Sequence, residues 1–257
     1  MVGFRVFAGP GTKCFIQETA LFSRQVTVLV GHFGSGKTEI ALNGALDLAA
    51  DGVAVTLADL DVVKPYFRSR SARYILAEAG VRLIAPEGEN VYADLPIIVP
   101  QVRDILRRPQ GKVILDVGGD GSGARVLGSL IDVLPTTNIE ILVVLNFSRP
   151  STPDVAGAIA MVHEIEAVAR VRVTGLISNT HLMEETTPEI ISEGARLAVE
   201  TGTALDLPVV AAAIHEDMAA SVNSDLGCPT FILKRIVKPP FEVQPQRKTV
   251  GPLFVLN

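Results

Sequence analysis

The sequence predicts an α/β protein, a single-domain doubly wound sheet that is mostly parallel and has about seven strands. Three observations carry that expectation. From Val26 onward, short apolar runs alternate with stretches of helical periodicity, which is how a parallel sheet covered on both faces reads. Gly52, Gly80, Gly111 and the Pro135-Thr136-Thr137 turn punctuate the helix ends before new strands. The chain of 257 residues is 48% apolar with 22 glycines, an ordinary globular composition that can bury one substantial core.

Taken in order, residues 1–24 read as an N-terminal extension. Phe4-Arg5-Val6-Phe7 and Phe15-Ile16-Gln17 flank the turn signal Gly9-Pro10-Gly11-Thr12, which suits a hairpin capping the domain. The domain itself is expected over residues 25–241, with strands at 26–30, 53–58, 81–85, 112–116, 139–145, 172–178 and 208–213. Helical spacing falls at about 37–50, 70–79, 98–108, 124–134, 153–169 and 188–205. Residues 242–257 read as a C-terminal tail, and no internal repeat or low-complexity linker interrupts the pattern.

A net charge of −5 argues against nucleic acid as the main partner, because phosphate contacts leave a basic footprint. The stretch from Leu233 onward is locally basic, with Lys234, Arg235, Lys238, Arg247 and Lys248 opposed only by Glu242. No charged-then-apolar leader opens the sequence and no apolar run approaches the ~20 residues of a membrane helix, so the expected location is cytoplasmic, off the membrane. Pro239-Pro240, Pro245 and Pro252 break any amphipathic membrane-binding helix at the carboxyl end. Cys14 and Cys228 have no metal-ligand spacing and read as small hydrophobes; a site built from two thiols per subunit across a dimer is the alternative.

Chemistry concentrates first at Gly31-His32-Phe33-Gly34-Ser35-Gly36-Lys37-Thr38, which fits G-x-x-x-x-G-K-[ST] without an insertion and continues into Glu39. It follows the apolar run 26–30 and precedes a helical pattern, the context in which backbone N–H groups and a helix dipole converge on phosphate. Lys37 would reach the β- and γ-phosphates, and Thr38 would offer its hydroxyl to Mg2+. Two more strand ends carry acids, Asp59 and Asp61 after the second strand and Asp116 and Asp120 at the fourth. A carboxylate at the carboxyl edge beside a phosphate loop is where a magnesium-bound water is held.

The phosphate loop, D-x-D after the second strand and D-x-x-G-D after the fourth together resemble the MinD/ParA/nitrogenase-iron-protein class of P-loop ATPases, over roughly Val26 to Asp217. The resemblance implies that Asp59 orients the magnesium shell, that Asp61 aligns the attacking water and that Asp116 holds Mg2+ through water. It implies that Gly118, Gly119 and Asp120 sense the γ-phosphate, and that Asn179, at the end of a late strand, reads adenine. Asn146 is the alternative base reader, and Ile214-His215-Glu216-Asp217 resembles a lid over the base. The chain departs from the class at the loop's second position, where His32 replaces the lysine that crosses to a partner's phosphates; this bears on whether a homodimer forms around nucleotide.

Two polar loops adjoin these strand ends. Lys64-Pro65-Tyr66-Phe67-Arg68-Ser69-Arg70 follows the acidic pair with three cations, which would suit a response to hydrolysis or a grip on an anionic partner, with Lys64 a candidate substitute for the loop lysine. The second runs from Asn179 to a helix cap before Pro188. His181 and His215 lack metal-ligand spacing. The expected function is Mg2+-dependent ATP binding and hydrolysis coupled to a protein partner, such as a metalloenzyme under maturation. The alternatives are an ATP-dependent biosynthetic enzyme similar to dethiobiotin synthetase or cobyrinic acid amidase, and a nucleotide switch without turnover.

Overall fold

The computed structural model describes residues 21–61, 73–85, 100–119, 121–223 and 225–236. The expected hairpin within residues 1–24, Cys14, the cationic loop from Lys64 to Arg70, Asp120 and the tail 242–257 lie outside the described residues.

Eight strands form one sheet in the order β3-β2-β4-β1-β5-β6-β7-β8. They are β1 (Val26–Val30), β2 (Val55–Leu60), β3 (Arg82–Ile84), β4 (Lys112–Val117), β5 (Ile139–Leu145), β6 (Gly175–Ser178), β7 (Val209–His215) and β8 (Thr230–Leu233). Every neighbouring pair is parallel. Among the described residues six α-helices accompany them: α1 (Lys37–Ala50), α2 (Arg73–Glu78), α3 (residues 100–107), α4 (Gly121–Gly128), α5 (Val155–Ala169) and α6 (Pro188–Leu205).

Alternation along the strands separates two cores, because successive side chains leave a strand on opposite faces. Val26, Val28 and Val30 of β1 join Leu127 of α4 and Met161 of α5 on one face. Leu29 joins Ile40 and Leu42 of α1 and Leu76 of α2 on the other. A third group, Ile191 and Ala195 of α6 with Ala212 and Ile214 of β7, closes the far end. Central strands are buried on both faces, which explains why they read as continuous apolar runs.

Position β1 decides where a ligand can sit. It lies between β4 and β5, so the connection from β1 to β2 leaves in one direction and that from β4 to β5 in the other. Helices α1 and α4 pack on opposite faces there, which makes the carboxyl ends of β1 and β4 the switch point at which such sheets bind ligands.

The sheet exceeds expectation by one strand. Thr230–Leu233 pairs with β7 through Ala212↔Thr230 to His215↔Leu233 and buries Phe231 and Leu233 against the α1 face. A four-residue run beside a basic stretch carries too little periodicity to announce a strand. Helix α4 also differs, spanning Gly121–Gly128 where periodicity placed 124–134; residues 129–134 continue as turns. Among the described residues no helix is long and apolar enough to cross a membrane.

Candidate nucleotide site

The loop between β1 and α1 turns on three glycines with φ of +137° at Gly31, +76° at Gly34 and +89° at Gly36. These left-handed values favour glycine, and the space around them excludes a side chain as well. A Cβ on Gly31 would lie 2.5 Å from the Val144 carbonyl oxygen, and one on Gly36 would lie 2.1 Å from Asn179 Nδ2. Helix α1 starts at Gly36 with no side-chain cap, so its amino-terminal dipole faces the loop uncovered by its own sequence. Lys37 is buried, and its Nζ donates to the carbonyl oxygens of Gly31 (2.8 Å) and His32 (3.0 Å), which fixes the ammonium over the loop.

Asp59, Asp61 and Asp116 stand at the same edge of the sheet. Asp59 and Asp116 are register partners on β2 and β4, and both are buried at 1% exposure. Thr38 Oγ1 donates to Asp116 Oδ2 at 2.7 Å, joining the first turn of α1 to β4. Asp59 Oδ1 accepts from the Asp61 N–H at 3.1 Å, and Asp61 stands beside Gly118, where a Cβ would lie 3.2 Å from its Oδ1. Gly119 in turn abuts the loop: its Cβ would lie 2.4 Å from the Phe33 nitrogen. Thr38, Asp59, Asp61, Asp116, Gly118 and Gly119 therefore share one edge with the phosphate loop.

Hard oxygen donors of this kind fit Mg2+, which takes one or two carboxylates plus phosphate and water oxygens and needs no all-protein cage. Among the described residues there is no cluster of three or more His, Cys, Asp or Glu able to hold a metal by itself. Cys228 is half-buried, and burial pushes its thiol up to about 11.

A second layer supports the loop from behind. Asn179 Nδ2 donates to the Ser35 carbonyl oxygen at 2.7 Å, and Asn146 Nδ2 to the Gly34 carbonyl oxygen at 3.3 Å. The Asn146 side chain also bonds the backbone of Ser148 and His181, tying the ends of β5 and β6 together. Arg149 Nε donates to Gly34 O at 3.1 Å. No motif in the sequence singles out Arg149; the signal available was only a cation just past a strand end. Both asparagines expected to read a base thus place an amide nitrogen on the loop backbone.

Of the other expected residues, some stay at the loop and some leave it. Glu39 turns away from the loop, and its Oε1 accepts from the Ile236 N–H. His32 is partly buried, and burial lowers its pKa; Glu164 opposes the shift and Lys37 adds to it, so the imidazole is neutral near pH 7. Phe33 is 52% exposed at the loop. His181 lies against the loop side of α1, and burial followed by the Arg149 charge lowers its pKa to about 4. His215 caps the short 3-10 turn Glu216–Met218 through Nδ1.

Strand, phosphate loop and helix, set beside the β2 and β4 acids on one parallel sheet, give the chain a P-loop NTPase fold. No protein-family model matches it, and no curated protein matches it in sequence. Among solved structures, the cell division protein FtsY of Thermotoga maritima is 20% identical with a TM-score of 0.48, covering 72% of this chain and 60% of that one. Chloroplast FtsY from Physcomitrella patens is 20% identical with a TM-score of 0.49, covering 72% and 57%. The signal recognition particle 54 kDa protein from Aeropyrum pernix, in complex with GDP, is 18% identical with a TM-score of 0.47, covering 72% and 40%. The chain spans less than two thirds of the length of each. These likenesses are distant and concern the fold alone.

Proposed function

We propose that the chain binds and hydrolyses ATP with Mg2+ and passes its nucleotide state to a protein partner, in the manner of the MinD/ParA/nitrogenase-iron-protein class that its motifs resemble. One observation supports this above the others: the Thr38 hydroxyl meets Asp116 at 2.7 Å while Asp116 lies in register with Asp59, so the oxygen donors of a magnesium–phosphate site converge at the loop.

In this reading the backbone N–H groups of residues 31–38 and the ammonium of Lys37 hold the phosphates and stabilise charge that spreads over the γ-phosphoryl oxygens. Thr38, Asp59 and Asp116 would hold Mg2+, which would supply charge neutralisation at the phosphates. Asp61 orients water against the γ-phosphate, and Gly119, packed on Phe33, carries the change at that position towards the protein surface. Asn179 Oδ1 and the end of β7 remain the base-reading side, with adenine the assigned base. The partner is a protein, with a metalloenzyme under maturation as one class; a homodimer without the second-position lysine is a further arrangement.

The test is phosphate release from ATP and from GTP in Mg2+, by the wild-type chain and by Lys37→Ala and Asp61→Ala. The reading expects Mg2+-dependent release from ATP that both substitutions abolish. Turnover of ATP at the wild-type rate by Lys37→Ala would sink it, and strict preference for GTP would overturn the base assignment.

A further inference from the structure

We propose that Arg149 is a positioning residue of the nucleotide site, holding the apex of the phosphate loop from outside so that its amides stay turned towards the phosphates. The inference rests on reading residues 31–38 as the nucleotide loop.

Arg149 belongs to a pre-shaped turn after β5. Its N–H donates to the Asn146 carbonyl oxygen at 3.2 Å, its own carbonyl accepts from the Thr152 N–H at 2.9 Å, and Asn146 Oδ1 accepts from the Ser148 N–H at 3.0 Å. The side chain leaves that turn towards Gly34. Nε donates to Gly34 O at 3.1 Å, and the guanidinium lies where a Cβ on Gly34 would meet Nε at 3.1 Å and Cζ at 3.3 Å. Gly34 thus admits the guanidinium that braces it.

The Gly34 carbonyl accepts from Asn146 as well, so two donors pull one peptide oxygen away from the inside of the loop. A peptide has its oxygen and its N–H on opposite sides. The N–H of that peptide, on Ser35, donates to the His32 carbonyl oxygen at 3.3 Å, so holding Gly34 O on the other side keeps the turn of the loop and prevents a flip that would set a carbonyl dipole against phosphate oxygens. Asn179 does the same one peptide later, on Ser35 O. Of these braces only Arg149 carries charge, and its guanidinium forms no salt bridge with a described acid. A cation kept within hydrogen-bond distance of the loop and not neutralised by an acid adds positive potential where phosphate binds.

Loss of such a brace acts on every phosphorylated nucleotide alike, because the loop grips di- and triphosphates through the same amides. A contact to the γ-phosphate would instead act on triphosphate alone. The experiment is equilibrium titration of the full chain with fluorescent ADP and a non-hydrolysable fluorescent ATP analogue, for wild type, Arg149→Ala and Arg149→Lys. Steady-state ATP hydrolysis and ligand-free thermal unfolding accompany it. Arg149→Ala is expected to raise Kd for both nucleotides by the same factor, about tenfold. KM rises with it while kcat changes by less than about threefold, the ligand-free Tm is unchanged, and Arg149→Lys recovers part of the affinity.

Wild-type affinity in Arg149→Ala overturns the assignment, and so does a loss confined to triphosphate. A large fall in ligand-free Tm overturns it too, since general destabilisation then explains weaker binding. If the wild-type chain binds no nucleotide, the nucleotide reading fails and this one with it; if it binds and Arg149→Ala binds equally well, this one fails alone.

Discussion

The two edges of the central strands each seat a lysine among backbone carbonyls, in different surroundings. At the amino edge, Glu140 on β5 accepts from Thr27 Oγ1 at 2.6 Å and Ser23 Oγ at 3.2 Å. Lys112 on β4 donates to the carbonyl oxygens of Phe22 (2.8 Å), Ser23 (2.9 Å) and Arg24 (2.7 Å). That set is closed, since the three ammonium protons meet three carbonyls of the incoming chain. At the carboxyl edge, Lys37 likewise donates to the carbonyl oxygens of Gly31 and His32, but in a glycine loop whose Gly34 and Ser35 carbonyls accept from Asn146, Arg149 and Asn179 and whose helix has no side-chain cap. The lysine contacts are alike at the two edges; the glycine loop and the uncapped helix start beside Lys37 are what equip that edge for an anion.

The sharpest way to break the contrast is Gly36→Ala. With φ at +89° and Asn179 Nδ2 only 2.1 Å from the new Cβ, the loop must shift. ATP affinity measured by fluorescence titration should fall about 100-fold, the upper end of what local backbone strain costs.

Glu140→Ala should do the reverse, leaving nucleotide affinity unchanged and lowering stability. Thr27 and Ser23 lose a charged acceptor in a buried setting, so denaturant unfolding should show a loss of about 3 kcal/mol.

The pH response belongs to the carboxyl edge. The folded-state pKa of His181 is lowered from 6.5 to about 4, first by burial and then by Arg149. A histidine with a depressed folded pKa stays neutral in the fold while the unfolded chain takes up a proton. Its contribution is therefore present above pH 6.5 and is lost as pH falls towards 4. Unfolding free energies should decline by about 1 to 2 kcal/mol between pH 6.5 and 5, with His181→Asn flattening that decline.

The smallest effect sharpens the boundary between the two edges. Asn43 of α1 pairs with the backbone of Lys234 in both directions, at 2.9 and 2.8 Å. Asn43→Ala should cost about 1 kcal/mol and speed amide exchange at Lys234, whose N–H loses its acceptor.

Much of this was legible in the sequence because backbone chemistry dictated it. Gly31 to Thr38 had to turn at glycine and enter a helix, and Asp59 and Asp116 ended apolar runs that can pair only in register at one edge. The strands at 26–30 and 139–145 and the helices at 37–50 and 188–205 appear at the residues their periodicity marked. Strand β8 was hidden because Thr230–Leu233 is short and gains its identity from pairing with β7. Arg149 was hidden because a brace on a backbone carbonyl leaves no spacing rule. Asn146 and Asn179 were visible as amides at strand ends, but the sequence does not distinguish an amide aimed at a base from one aimed at the loop; here each donates its Nδ2 to a loop carbonyl.

The most direct measurement is calorimetric titration of Mg2+–ATP into the wild-type chain and into Lys37→Ala, with ligand-free melting curves of both. The account predicts one molar equivalent bound by the wild type, affinity reduced at least about 100-fold in Lys37→Ala, and closely similar melting curves. Equal affinity in the two proteins, or no binding by the wild type to ATP or GTP, would contradict it.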